Sequence, residues 1–175
     1  LWLRQLEVLS GLDARASRDV TLGLAYAKVG QFDRAVITLR HVAEKYPDYR
    51  YTFVALGRVW LEAAQARPDS IELSKALEAL EQAIDVEDTS EAYTLFGRAL
   101  LLSSNNERAE RMLSQASRMM PVDPLAFYYL ADAAERRAHF DVARQALLDY
   151  LAVQPDEIEA RRRAVIAMRV ADLSS

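Results

Sequence analysis

Three of the chain's five glycines stand directly behind a large apolar residue, at Leu22-Gly23, Leu56-Gly57 and Phe96-Gly97, and Leu130-Ala131 continues the series. The steps are 34, 40 and 34 residues. A second ladder runs through Ala35, Ala76, Ala109 and Ala143, each followed four residues later by Leu39, Leu80, Leu113 and Leu147. A third runs through Pro47, Pro121 and Pro155, with Asp88 in the place of the missing proline. Three ladders in one register are the mark of a stacked array, in which each unit buries its apolar face only against its neighbours.

Each unit reads as two helices. Leu22, Gly23 and Tyr26 form one stripe of a 3.6-residue period, and Ala35, Leu39 and Val42 form the second. The turn between them, Gly30-Gln31-Phe32-Asp33, is echoed by Ala138-His139-Phe140-Asp141. Its aspartate falls in the first turn of the following helix, where the helix dipole favours negative charge. Pro47 ends the pair because it has no amide hydrogen to donate. The small residues Gly23, Gly57, Gly97 and Ala131 are expected to let the two helices of a pair approach closely. The second unit is about a turn longer in each helix, with Pro68-Asp69-Ser70 as its turn. Asp69 ahead of Glu72 resembles a capping box, and Asp123-Pro124 reads as an N-cap followed by a first-turn proline.

The pattern Leu-Gly-x-x-Tyr, then Ala-x-x-x-Leu, then Pro, repeated at 34 residues, resembles the tetratricopeptide repeat. The resemblance implies an all-α fold, a right-handed superhelical solenoid of antiparallel helix pairs. Its units are 16–49, 50–89 (elongated), 90–123 and 124–157. The family's usual tryptophan is replaced by Asp19, Phe53, Tyr93 and Phe127, and a later aromatic by Leu100 and Ala134. Residues 1–15, with Trp2, Leu6 and Leu9 at helical spacing, are expected to be the remnant helix of a preceding repeat. Residues 158–175 are expected to be a capping helix or the first helix of a further repeat. It is expected to turn Ile158, Val165 and Met168 inward, and Arg161, Arg162, Arg163 and Arg169 elsewhere. The chain opens on leucine, and is expected to be a segment of a longer protein.

Little in the sequence carries chemistry. Cysteine is absent and histidine is limited to His41 and His139, which leaves no thiolate chemistry and almost no zinc ligands. No phosphate loop, dinucleotide fingerprint or nucleophile elbow occurs. The carboxylates from Glu72 to Glu91 read as a solvated helix face. The expectation is a protein that is not an enzyme and binds no metal or cofactor. A net charge of −4, and arginines at 161–169 without interleaved aromatics, argue against nucleic acid. The longest apolar run, Leu125 to Ala131, has seven residues, too few to insert in a membrane. Localisation stays open.

If Gly23 and Tyr26 face the paired helix, Val20, Leu24 and Ala27 face away from it. The equivalent sets are Val54, Arg58 and Leu61, then Thr94, Arg98 and Leu101, then Tyr128, Asp132 and Glu135, with Tyr51, Glu91 and Leu125 at the rim. The family resemblance implies that these positions line a concave groove that binds a partner's polypeptide segment. Family members that clamp acidic chaperone tails use lysine and asparagine where this chain has Val20, Leu24 and Val54, so that clamp is not expected. Arg58 and Arg98 share one repeat position, and are expected to hold a carboxylate or main-chain carbonyls. The groove is expected to end acidic, at Asp132 and Glu135. Two further readings stay open. One is a module that self-assembles through its exposed repeat ends. The other is a regulatory or positioning domain of a larger enzyme or of a bacterial envelope or secretion assembly.

Overall fold

The structure, a computed structural model, describes residues 2–66, 71–154 and 156–174, with side chains described over 11–66, 71–154 and 156–170. Among these residues there are nine α-helices and no strand: α1 Trp2–Lys28, α2 Phe32–Lys45, α3 Tyr51–Ala66, α4 Glu72–Val86, α5 Ser90–Leu102, α6 Asn106–Ala116, α7 Leu125–Arg136, α8 Phe140–Val153 and α9 Ile158–Ser174. They form two compact units, residues 1–87 with α1–α4 and residues 88–175 with α5–α9.

Within each unit one contact fixes how two helices pair. A Cβ placed on Gly23 would lie 2.8 Å from Leu39 Cγ, one on Gly57 2.4 Å from Leu80 Cγ, and one on Gly97 2.4 Å from Leu113 Cγ. Each leucine therefore fills a notch that only glycine leaves open, and all three leucines are fully buried. The fourth pair sets Ala131 and Leu147, both fully buried, in the matching places. The next unit's first helix then packs on this pair. Leu56 of α3 joins the core formed by Ala35, Val36, Leu39 and Val42 of α2. In the second unit, the buried Ser90 hydroxyl donates to the Ala116 carbonyl at 2.8 Å and accepts from the Asp123 amide at 2.9 Å. It thereby ties α5 to the end of α6 and the approach to α7.

The helix starts follow from side-chain chemistry. Thr89 caps α5 by accepting from the Ala92 amide, and Asn105 caps α6 by accepting from Arg108. Asp123 accepts from the Leu125 amide at 3.0 Å, as expected of an N-cap. The turn residues Gly30 and Ala138 share a left-handed backbone, with φ of 76° and 58°. Asp69 lies outside the described residues.

Three expectations need correction. The stretch expected over 1–15 is not a separate helix, because α1 runs unbroken from Trp2 to Lys28. Gly11 is the one weak helix former there, and a single glycine costs only about 1 kcal/mol. Leu22 is 47% exposed, whereas its counterparts Leu56, Phe96 and Leu130 are buried. Leu56 packs on the preceding pair's second helix, and α1 has no such helix before it among the described residues. In α9 the inward residues are Ala160, Ala164 and Ala167, while Ile158, Val165 and Met168 point outward.

Gly97→Ala should therefore lower stability by about 1–3 kcal/mol through overpacking against Leu113. Gly11→Ala, with nothing within 4 Å of the added Cβ, should raise it by about 0.5–1 kcal/mol. Urea unfolding midpoints of the two variants check this pair of opposite signs.

Candidate functional site

In the first unit the expected groove residues are mostly covered. Val20, Ala27, Val54 and Leu61 are buried and Leu24 is half-buried, so they form the layer beneath the surface. Tyr51 and Arg58 are half-buried and both engage neighbouring groups. The burial has a plain cause: α1 packs beside α3, and small or β-branched residues at 54–64 let the helices close together.

The second unit is richer. Thr94 and Leu101 are again buried, and the Thr94 hydroxyl donates to the Ser90 carbonyl at 2.7 Å. Arg98 is half-buried, with its guanidinium 5.4 Å from the centre of the Tyr129 ring. Tyr128 meets Tyr129 edge-on at 5.7 Å and tilts over Tyr150 at 5.4 Å. On the other side Arg163 of α9 lies 4.7 Å from the Tyr128 ring. The result is a row running guanidinium, phenol, phenol, guanidinium from α5 across α7 to α9, with a cation–π contact at each end and an edge-on ring contact between them. Glu91 is half-buried with partners of its own, and Leu125 is exposed at the start of α7.

The expected acidic end does not exist as an uncompensated charge. Arg136 grips both oxygens of Asp132 at 3.1 Å and donates its remaining amine to the Leu101 carbonyl at 3.0 Å. Arg163 holds Glu135 at 3.0 Å. Two acids that look solvated in the sequence are thus neutralised by arginines one turn and one repeat away.

Beside this row lies a cavity of about 250 Å³ lined by Glu135, Phe140, Arg163, Ile166, Ala167 and Val170. Its walls are largely apolar, and the Glu135–Arg163 pair stands at its edge. Sequence reasoning missed Tyr129, Arg163 and Ile166. The repeat step would have found two of them: 34 residues beyond Tyr129 is Arg163, and 34 beyond Asp132 is Ile166.

A second cleft, about 580 Å³, lies along α6 among Glu110, Arg111, Ser114, Gln115, Arg118, Met119 and Arg137. Glu110 here accepts from Arg137 at 2.7 Å and meets His139 Nδ1 at 2.9 Å. The fold thus supplies His139 with a carboxylate 29 positions away. The arrangement anchors the turn before α8. Among the described residues no group of three or more metal-ligating side chains assembles, and no helix is long and apolar enough to cross a membrane.

Burial raises the Tyr129 phenol above its ordinary value, with Arg98 pulling the other way. Tyr150 is raised by burial and by Glu157. Burial draws the Arg163 guanidinium down, but its bond to Glu135 outweighs that and holds it above its ordinary range.

No protein-family model matches the chain, and no curated protein matches its sequence. Solved structures do. MamA superposes with a TM-score of 0.72 at 22% identity, over 86% of this chain and 85% of MamA. TTC0263, a tetratricopeptide-repeat protein of Thermus thermophilus, gives 0.72 at 20% identity over 94% of both chains. Pseudomonas aeruginosa pilF gives 0.78 at 20% identity, over 93% of this chain and 76% of its own. The chain therefore has the tetratricopeptide-repeat fold.

The raised phenol has a measurable consequence. A group whose pKa is higher folded than unfolded contributes stability that is complete below the unfolded value, about pH 10 for tyrosine, and fades as pH climbs through the folded one. Tyr129→Phe should therefore lose less stability than the parent chain as pH rises above about 10. Denaturant midpoints across that range measure the difference, which should vanish near neutrality.

Proposed function

We propose that the chain is a non-catalytic interaction scaffold that holds a segment of a partner polypeptide on the face built by α5, α7 and α9. The observation that carries this reading is the apolar cavity of about 250 Å³ opening beside the arginine–tyrosine row. For comparison, an apolar cavity of about 150 Å³ is enough to bind benzene. A leucine or aromatic side chain of the partner fits this space. Its neighbouring main-chain carbonyls or an acidic side chain fall to Arg98, whose guanidinium is ordered by Tyr129 but not consumed by it. Tyr128, with an apolar ring and a polar hydroxyl, suits the same role.

The ligand set is thereby narrower than the repeat register alone implies. Thr94 and Leu101 support the surface from beneath, while Asp132 and Glu135 orient Arg136 and Arg163. Tyr51 and Arg58 of the first unit are half-buried and hold partners of their own. The fold itself favours this reading, since first helices in series, as α5 and α7 stand in the second unit, offer one surface to a ligand.

Site-specific photo-crosslinking tests the proposal. A crosslinker at position 98 or 166 should capture the same segment of one partner protein, while one at the exposed Leu148 of α8 should not. Arg98→Ala should then weaken that partner roughly ten- to a hundredfold, the usual effect of losing a charge-assisted contact. Capture from position 148 alone would move the working surface to the outer helices.

A further inference from the structure

The outer surface of α6 carries charge that the repeat does not require. Counted from the buried alanine near the start of each second helix, Arg111 and Arg118 hold the second and ninth places after Ala109. The same places hold Ile37 and Glu44 in α2, Glu78 and Asp85 in α4, and Gln145 and Ala152 in α8. Packing therefore leaves both places open to any side chain, and α6 alone of these four helices makes both basic. The turn before α8 adds a third guanidinium. Arg137 stands where the first and third repeats have Val29 and Ser103, and it lines the same cleft of about 580 Å³.

The partners of these charges decide what the cleft can take. Arg118 meets no carboxylate among the described residues; its guanidinium donates to the Ser114 hydroxyl at 3.1 Å, a neutral partner. Arg111 pairs with Glu107 one turn back, but those side chains are 60% and 65% exposed. Such a surface ion pair is worth only about 0–1 kcal/mol and is readily exchanged for another. Glu110 is the acid in the cleft wall. It is only 13% exposed and already held by Arg137 at 2.7 Å and by His139 at 2.9 Å, so it repels an incoming anion less than a bare carboxylate would. The cleft is thus a basic concavity on a chain whose net charge is −4. Met119 gives it an apolar end, and Met120 beside it is 86% exposed. Methionine side chains adapt to irregular apolar partners.

We infer that the α6 cleft is a second binding site, for an extended acidic segment of a partner polypeptide that carries an apolar residue next to its acids. Arg111 and Arg118 are about 10.5 Å apart along the helix axis, seven residues at 1.5 Å each. In a polyproline-type segment, acids three residues apart lie on one side and about 9 Å from each other, so each meets one guanidinium. Such a segment leaves its main-chain carbonyls unpaired, and Ser114 and Gln115, between the two arginines, can donate to them. The apolar residue then packs on Met119. An anionic bilayer carries the same charge but presents a plane, which does not fit a concavity.

The probe is the fluorescein-labelled peptide Glu-Pro-Pro-Glu-Leu-Leu, titrated against the intact chain by fluorescence polarisation. Saturable binding is expected, weakened at least about tenfold by Arg111→Ala with Arg118→Ala, and likewise by changing both glutamates of the peptide to glutamine. Both arginines are exposed, so the double variant should melt as the parent does. Arg98→Ala should bind this peptide as the parent does, which separates the α6 cleft from the face proposed on α5, α7 and α9. No saturation at millimolar peptide, equal binding by the double variant, or equal binding of the glutamine peptide would overturn the inference. So would loss of binding in Arg98→Ala, because the peptide would then sit on the other face. Co-sedimentation with phosphatidylserine vesicles that the double variant abolishes would overturn it too, since the same arginines would then serve a membrane.

Discussion

A leucine seated in the notch left by a missing Cβ is the contact on which each helix pair depends. At Gly57 and Gly97 the leucine Cγ lies 2.4 Å from where a side chain would begin, far inside van der Waals contact. A residue with a side chain can take that place only if the leucine or its helix gives way. The contact therefore fixes both the spacing of the pair and its axial register, since sliding by one residue would drive the leucine into a neighbouring side chain. Glycine in a helix interior costs about 1 kcal/mol, and the chain places four of its five there, three of them facing a leucine. The buried leucines offset this cost, each contributing about 1.5–3 kcal/mol of burial.

Close pairing has a functional consequence. Once the second helices are held tightly, the first helices form an inner layer whose own apolar residues are consumed in packing, as Val54, Leu61, Thr94 and Leu101 show. What remains for a ligand is the side chains that rise above this layer. In the second unit these are arginines and tyrosines, each ordered by the next: Arg98 on Tyr129, Tyr129 on Tyr128, Tyr128 under Arg163, and Arg163 on Glu135. Such a row is stiff, and rotamers fixed in advance lower the entropic cost of binding.

The ladders of glycine, leucine and proline made the helix pairs legible, because steric demand at a close approach leaves a residue type behind. Facing was less legible wherever an element sits at an end of the array. Leu22 and Val165 hold positions that are buried elsewhere and exposed in them, and no local pattern records whether a neighbouring helix is there to cover a stripe. In α9 three alanines take the buried side, and their small size hid them behind larger apolar residues that look more like core. The ion pairs were legible only in part: Asp132 and Arg136 are four residues apart on one helix, whereas Glu135 with Arg163 and Glu110 with His139 meet only through the fold. The arginine positions at 58 and 98 were readable. Their neighbours were not, because Tyr129 contributes from the following helix.

The claim that one contact organises each pair is tested most directly by a double-mutant cycle on Gly57 and Leu80. If Leu80 occupies the notch, Gly57→Ala should cost much less stability when Leu80 is already alanine, giving a coupling energy of about 1 kcal/mol or more from equilibrium unfolding. If the two substitutions simply add, to within about 0.5 kcal/mol, the residues do not meet as described and the pairing rests on something else.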